Sequence, residues 1–74
     1  EALIDYKTKL QEYVQADTRQ TVHYHLVRME GPSNHPEFEI NVMLDDIVLG
    51  SGIGTSKKRA EQAAAKDAFE KMVK

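Results

Sequence analysis

The sequence predicts an α+β domain, an α-β-β-β-α two-layer sandwich with two helices packed on one face of a three-stranded antiparallel sheet. Apolar residues recur at helical spacing near both ends of the chain and alternate with polar ones in the middle. The links between the middle segments are too short for crossovers, so the strands form a meander and both helices cover the same side.

The first helix is read over Leu3 to Gln15, where Tyr6, Leu10, Tyr13 and Val14 make one apolar stripe and Thr8, Gln11, Glu12 and Gln15 lie opposite. Asp17 to Gln20 is a polar connection. Thr21 to Glu30 is rich in Val, Tyr, Leu and Thr and stops at Gly31-Pro32, which marks a strand and its end. Ser33 to Pro36 prolongs the turn. Phe38, Ile40, Val42 and Leu44 then alternate with Glu39, Asn41 and Met43, the period of a strand with one buried face. Asp45-Asp46 links it to a third strand over Ile47 to Ser51. Gly50, Gly52 and Gly54 are read as loosening the backbone ahead of the last helix. Ser56 is its expected N-cap. Ala60, Ala64, Ala65, Ala68, Phe69 and Met72 form its broad face, and the alanines allow close approach to the sheet.

Seventy-four residues make one small domain, 1–74, near the lower limit for a core without staples. There is no cysteine, which rules out disulfides and thiolate metal sites and fits a reducing, cytoplasmic setting. Apolar runs are only a few residues long, so no membrane-spanning helix or signal-peptide core is expected. A start at Glu1 instead of Met suggests a fragment of a longer chain. The net charge of −2 hides an asymmetry: residues 1–56 carry four bases against nine acids, residues 57–74 six bases against three. Positive charge is densest at Lys57-Lys58-Arg59, and a local patch of this kind is what electrostatic docking requires.

Those three cations stand where the helix dipole favours acids, at a local penalty of roughly 0.3 to 1 kcal/mol each. Unpaired N–H groups at a helix start already favour an anion, so added cations become productive when a phosphate docks there. Nucleotide loops do not explain the pattern. No glycine precedes a lysine, and Thr55 stands where G-x-G-x-x-G needs its last glycine.

With "LQEYVQ" in the first helix, "GPSNHPEF" after the first strand and "GSGIGTSKKRAEQAAAKDAFEKM" at the end, the chain closely resembles the double-stranded RNA-binding domain. The resemblance covers nearly its whole length. Within that family, "DYKTKLQEYVQ" and Glu61 after "KKRA" look most like the C-terminal domain of bacterial ribonuclease III. The resemblance implies three contact regions: Thr8, Gln11, Glu12 and Gln15 at one minor groove, the Pro32 to Pro36 loop at the next, and Ser56, Lys57 and Lys58 on phosphates across the intervening major groove. A-form RNA shows its 2′-hydroxyls in a wide minor groove, so recognition by shape across about 16 base pairs is expected, with little sequence preference.

Two positions depart from the family pattern. Asn34 stands where the loop usually has histidine and His35 follows, which leaves the contact with either residue; Asn cannot become cationic. Glu61 stands where many members have a third lysine, which implies fewer phosphate contacts. No catalytic residues are expected, because no carboxylate pair falls in a metal or acid-base pattern. His23, His25 and His35 are read as ordinary exposed histidines and not as metal ligands. The domain itself implies no cofactor and no small-molecule partner. A ribonuclease III parent would supply a magnesium-dependent nuclease domain and would be a homodimer through it. The competing function is a protein-interaction or dimerisation module of the same fold, which would have lost the basic helix start and the polar first-helix face.

Overall fold

The structure, a computed structural model, describes residues 5–73. Its elements are α1 (Tyr6–Thr18), β1 (His23–Glu30), β2 (Glu37–Leu44), β3 (Ile47–Gly54) and α2 (Lys57–Met72), with the strands antiparallel in the order β1-β2-β3. The α-β-β-β-α expectation is met. Leu3 lies outside the described residues, and α1 runs on to Thr18, where Arg19 closes it in a left-handed conformation (φ 62°).

Both helices lie on one sheet face: α2 on β2 and β3, and α1 beside α2. Leu10 and Val14 from α1, Ile40 and Val42 from β2, Val22, and Ala60, Ala64, Ala65 and Ala68 from α2 form the core. Each large side chain among them contributes about 1.5 to 3 kcal/mol by leaving water. Tyr6 and Tyr13 of α1 flank Phe69 of α2, with ring centroids 6.2 and 5.9 Å apart. Tyr13 also donates from its hydroxyl to the Met72 carbonyl at 3.2 Å. Because Tyr6 and Lys7 meet Gln62 while Tyr13 meets Met72, the two helices run in the same direction. Their N-termini therefore share one end of the domain.

The third strand reaches Gly54, three residues beyond the expected Ser51. Gly50, Gly52 and Gly54 are part of the sheet and do not loosen the backbone ahead of α2. A Cβ on Gly50 would stand 2.6 Å from the Ala68 backbone nitrogen, one on Gly54 2.6 Å from that of Ala60, and one on Gly52 against Ala64. With period two in the strand and nearly four in the helix, three glycines meet three alanines one turn apart. The pairing lets α2 rest directly on β3.

A bulge between Leu26 and Arg28 corrects the phase of β1. Strict alternation would put Arg28 on the helix-covered side with Tyr24 and Leu26, whereas the extra residue, Val27, turns it to the open face opposite Glu39. There its guanidinium pairs with Glu30 at 2.6 Å, Glu39 at 3.0 Å and Glu37 at 3.6 Å. Three carboxylates around one cation make this part of the open face acidic.

Candidate functional site

Ser56 caps α2 as expected, its hydroxyl accepting from the Arg59 N–H at 3.1 Å. The first turn of α2 holds no acid. Lys57, Lys58 and Arg59 are exposed, and among the described residues none of them forms an ion pair. Backbone donors and three unneutralised cations therefore face solvent together, the arrangement that attracts phosphate.

Phe38 pairs with Gly54, so the segment before β2 and the start of α2 lie at one end of the sheet. Gly31 opens that segment with φ 95°, and a Cβ there would stand 2.5 Å from the His35 carbonyl oxygen, so only glycine fits. The His35 N–H donates to the Pro32 carbonyl at 2.9 Å, closing a turn with Ser33 and Asn34 as its central residues. Asn34 and His35 are both exposed. An open groove of about 380 Å³ lies between this loop and the end of β3, lined by His35, Pro36, Glu37, Ile53, Gly54 and Thr55.

The α1 face is more constrained than its polarity suggests. Thr8, Glu12 and Gln15 are exposed. Gln11 is half-buried, its carbonyl accepting from the Val22 N–H and its amide donating to the Gln20 carbonyl, both at 3.1 Å. It fastens the α1–β1 connection and keeps only one N–H and one lone pair for a ligand. Thr8 donates its hydroxyl proton to Asp5 at 2.7 Å. The Asp5 carboxyl is held down at about 2 by the Gln62 amide first and then by the Thr8 hydroxyl and N–H, so it is ionised and can only accept. Thr8 therefore presents an acceptor outward, which suits a 2′-hydroxyl donor.

Glu61 takes Lys7 in an ion pair at 2.5 Å, and Lys7 lies over the Tyr24 ring, 4.9 Å from its centroid. Glu61 thus pairs a cation that α1 already carries. Tyr24 lines an open cleft of about 280 Å³ with Lys7, Thr8, Gln11, Glu12 and Val22. Its hydroxyl is buried and has no hydrogen-bond partner among the described residues. Burial, and then the charges of Glu61 and Asp5, push the phenol up to about 12. An unfolded tyrosine ionises near pH 10, so this group's stabilising contribution is complete below pH 10 and is lost as pH rises through about 12. Tyr24→Phe is expected to hold or raise stability at pH 7 and to show a shallower fall in melting temperature between about pH 10 and 12 than the parent chain.

His23 and His25 are exposed on β1 opposite Met43 and Asn41, while His35 follows the far end of that strand. Among the described residues no group of three or more His, Asp or Glu side chains is placed to hold a metal ion. None of the helices among them is long and apolar enough to cross a membrane.

The family model described as "Double-stranded RNA binding motif" matches residues 6–72, which takes in all five elements. The chain belongs to the double-stranded RNA binding motif family. Ribonuclease 3 of Latilactobacillus sakei subsp. sakei (strain 23K) is 52% identical over 68 residues, covering 92% of this chain and 30% of that protein. Ribonuclease 3 of Clostridium tetani is 50% identical over 72 residues, covering 97% of this chain and 31% of that protein. This motif thus spans about 30% of the length of the curated relatives it matches. Among solved structures, Dicer from Pichia stipitis superposes with a TM-score of 0.73 at 29% identity, over 89% of this chain and 32% of that one.

Gln62 is a residue that sequence reasoning does not single out. It accepts from the Tyr6 and Lys7 N–H groups at 2.9 and 3.4 Å and donates to Asp5 at 2.9 Å. No local signal marks it, because its partners lie more than fifty positions away.

Proposed function

We propose that this motif binds double-stranded RNA by its A-form shape, through Thr8, Gln11, Glu12 and Gln15 of α1, Asn34 or His35 of the β1–β2 loop, and Ser56, Lys57 and Lys58 at the start of α2. The observation that carries the reading is the unneutralised cation group over the free N–H groups of α2, at the domain end where the loop also lies. Shape selection follows from the chemistry available: Thr8, Gln11 and Gln15 are neutral groups suited to hydroxyls, and Glu12 can accept from a 2′-hydroxyl but repels phosphate. The acidic stretch of the open sheet face disfavours a phosphate backbone there and favours the other approach.

In this reading residues 1–74 are the substrate-binding module of a ribonuclease III, a double-strand-specific endoribonuclease of the cytoplasm. The nuclease chemistry, its magnesium and the homodimer contact belong to a part of the parent outside this chain. The relatives' names and the share of their length that is matched support this assignment. Titration of the domain with a duplex RNA, the corresponding single strand and a DNA duplex of the same sequence tests the binding reading. Duplex RNA is expected to bind tightest, with little change on base-pair shuffling; equal affinity for the DNA duplex would overturn it.

A further inference from the structure

We propose that Gln62 is a positioning residue for RNA binding, a clasp that holds the α1 face and the cations of α2 in one fixed register. The proposal rests on the RNA-binding reading and adds a group that touches no RNA. A helix N-terminus leaves its first N–H groups without intrahelical partners, and in α1 two of them, on Tyr6 and Lys7, are satisfied by the carbonyl of a side chain from the other helix. The same amide donates to Asp5 Oδ1, which also accepts from the Thr8 N–H at 3.2 Å. Asp5 is thus bound at once by Thr8 of its own helix and by Gln62 of α2. One residue earlier, Glu61 holds Lys7. Two adjacent α2 residues, a little over one turn beyond Lys57 and Lys58, therefore grip the first turn of α1, which carries Thr8.

Every donor in this junction has a single sensible acceptor. The N–H groups of Tyr6 and Lys7 fix which end of the Gln62 amide faces α1, and the ionised Asp5 fixes the other. The aromatic contacts of Tyr13 and Phe69 hold the opposite ends of the helices but do not set the rotation of α1 about its own axis. Direct hydrogen bonds at the first turn do. A minor-groove face and a phosphate clamp on one rigid body engage a duplex together, each raising the effective concentration of the other.

The test compares the parent chain with Gln62→Ala on an RNA duplex of about 16 base pairs, which spans all contacts, and on one of about 8, which offers a single minor groove. Gln62→Ala is expected to weaken binding to the longer duplex on the order of tenfold and to leave the shorter one unchanged. The slope of log K against log salt should stay the same, because no cation is removed. Amide exchange at Tyr6 and Lys7 should accelerate. Equal weakening on both duplexes, or none, would overturn the inference while leaving the RNA-binding reading intact; absence of any duplex affinity in the parent chain would overturn both. Gln62→Glu is the second variant. It keeps an acceptor for the α1 N–H groups but sets a carboxylate against Asp5, so the same length-dependent weakening is expected. Failure of both variants to fold would assign Gln62 to stability alone and overturn the clasp.

Discussion

Lys57→Ala combined with Lys58→Ala is expected to move binding and stability in opposite directions. Duplex-RNA affinity should fall on the order of tenfold or more at moderate salt, and the slope of log K against log salt should flatten by about one unit for each phosphate that is no longer neutralised. The fold should become slightly firmer. Both side chains are exposed, and both place positive charge on the positive end of α2 in a first turn that holds no acid. Removing each relieves roughly 0.3 to 1 kcal/mol, which in a domain this small corresponds to a rise of a few degrees in melting temperature. Thermal unfolding and a salt series on the same two proteins read both signs. A lower melting temperature with unchanged affinity would mean that the cations serve the fold. The opposed signs are what distinguishes a binding device from a structural one.

The order of elements is legible in the sequence because it depends on local patterns. The stripe of Leu10 and Val14, the alternation of Ile40 and Val42 and the alanine face of α2 are each periodic within one element, and all of them are buried. The extra residue in β1 is not legible. Nothing in "HLVRM" shows that Val27 bulges, and the shift becomes necessary only when Arg28 must avoid the helix-covered side and find Glu30, Glu37 and Glu39. The candidate site divides in the same way. Ser56, Lys57 and Lys58 are readable as a capped, cationic helix start, since cap and charge are neighbours in sequence. Gln11 is readable only as polar. Its bonds to Gln20 and Val22 form once α1 folds back on the strand, and they leave it a partly committed group. Glu61 reads in the sequence as a missing cation, whereas its place opposite Lys7 follows from the parallel packing of the helices. Long-range partners are invisible to periodicity.

The glycines of β3 are visible as a pattern, yet their purpose emerges only from the packing, and they support the largest expected drop in stability. Gly52→Ala should destabilise the domain by about 3 kcal/mol or more, at or beyond the upper end for an inserted methyl group. The new Cβ would lie against the Ala64 backbone nitrogen and 2.5 Å from the Ala63 carbonyl carbon. Overpacked cores usually recover by turning a side chain to another rotamer. Here the obstacle is mainly helix backbone, so relief requires α2 to move away from β3 as a body. That lifts Ala60, Ala64 and Ala68 out of full burial and weakens the core on which a chain of this size depends. Ile53→Ala, one position along, is the control. Ile53 is 54% exposed, and its replacement should change stability by under about 1 kcal/mol. Denaturant midpoints for the two variants test the difference, and a Gly52→Ala midpoint close to that of the parent would refute the close-approach account of the glycine stripe. Where Gly52→Ala still folds in the cold, the effect should extend to RNA. Displacing α2 carries Lys57 and Lys58 with it and pulls Gln62 away from Asp5, so duplex affinity should fall although no residue assigned to RNA binding has been changed.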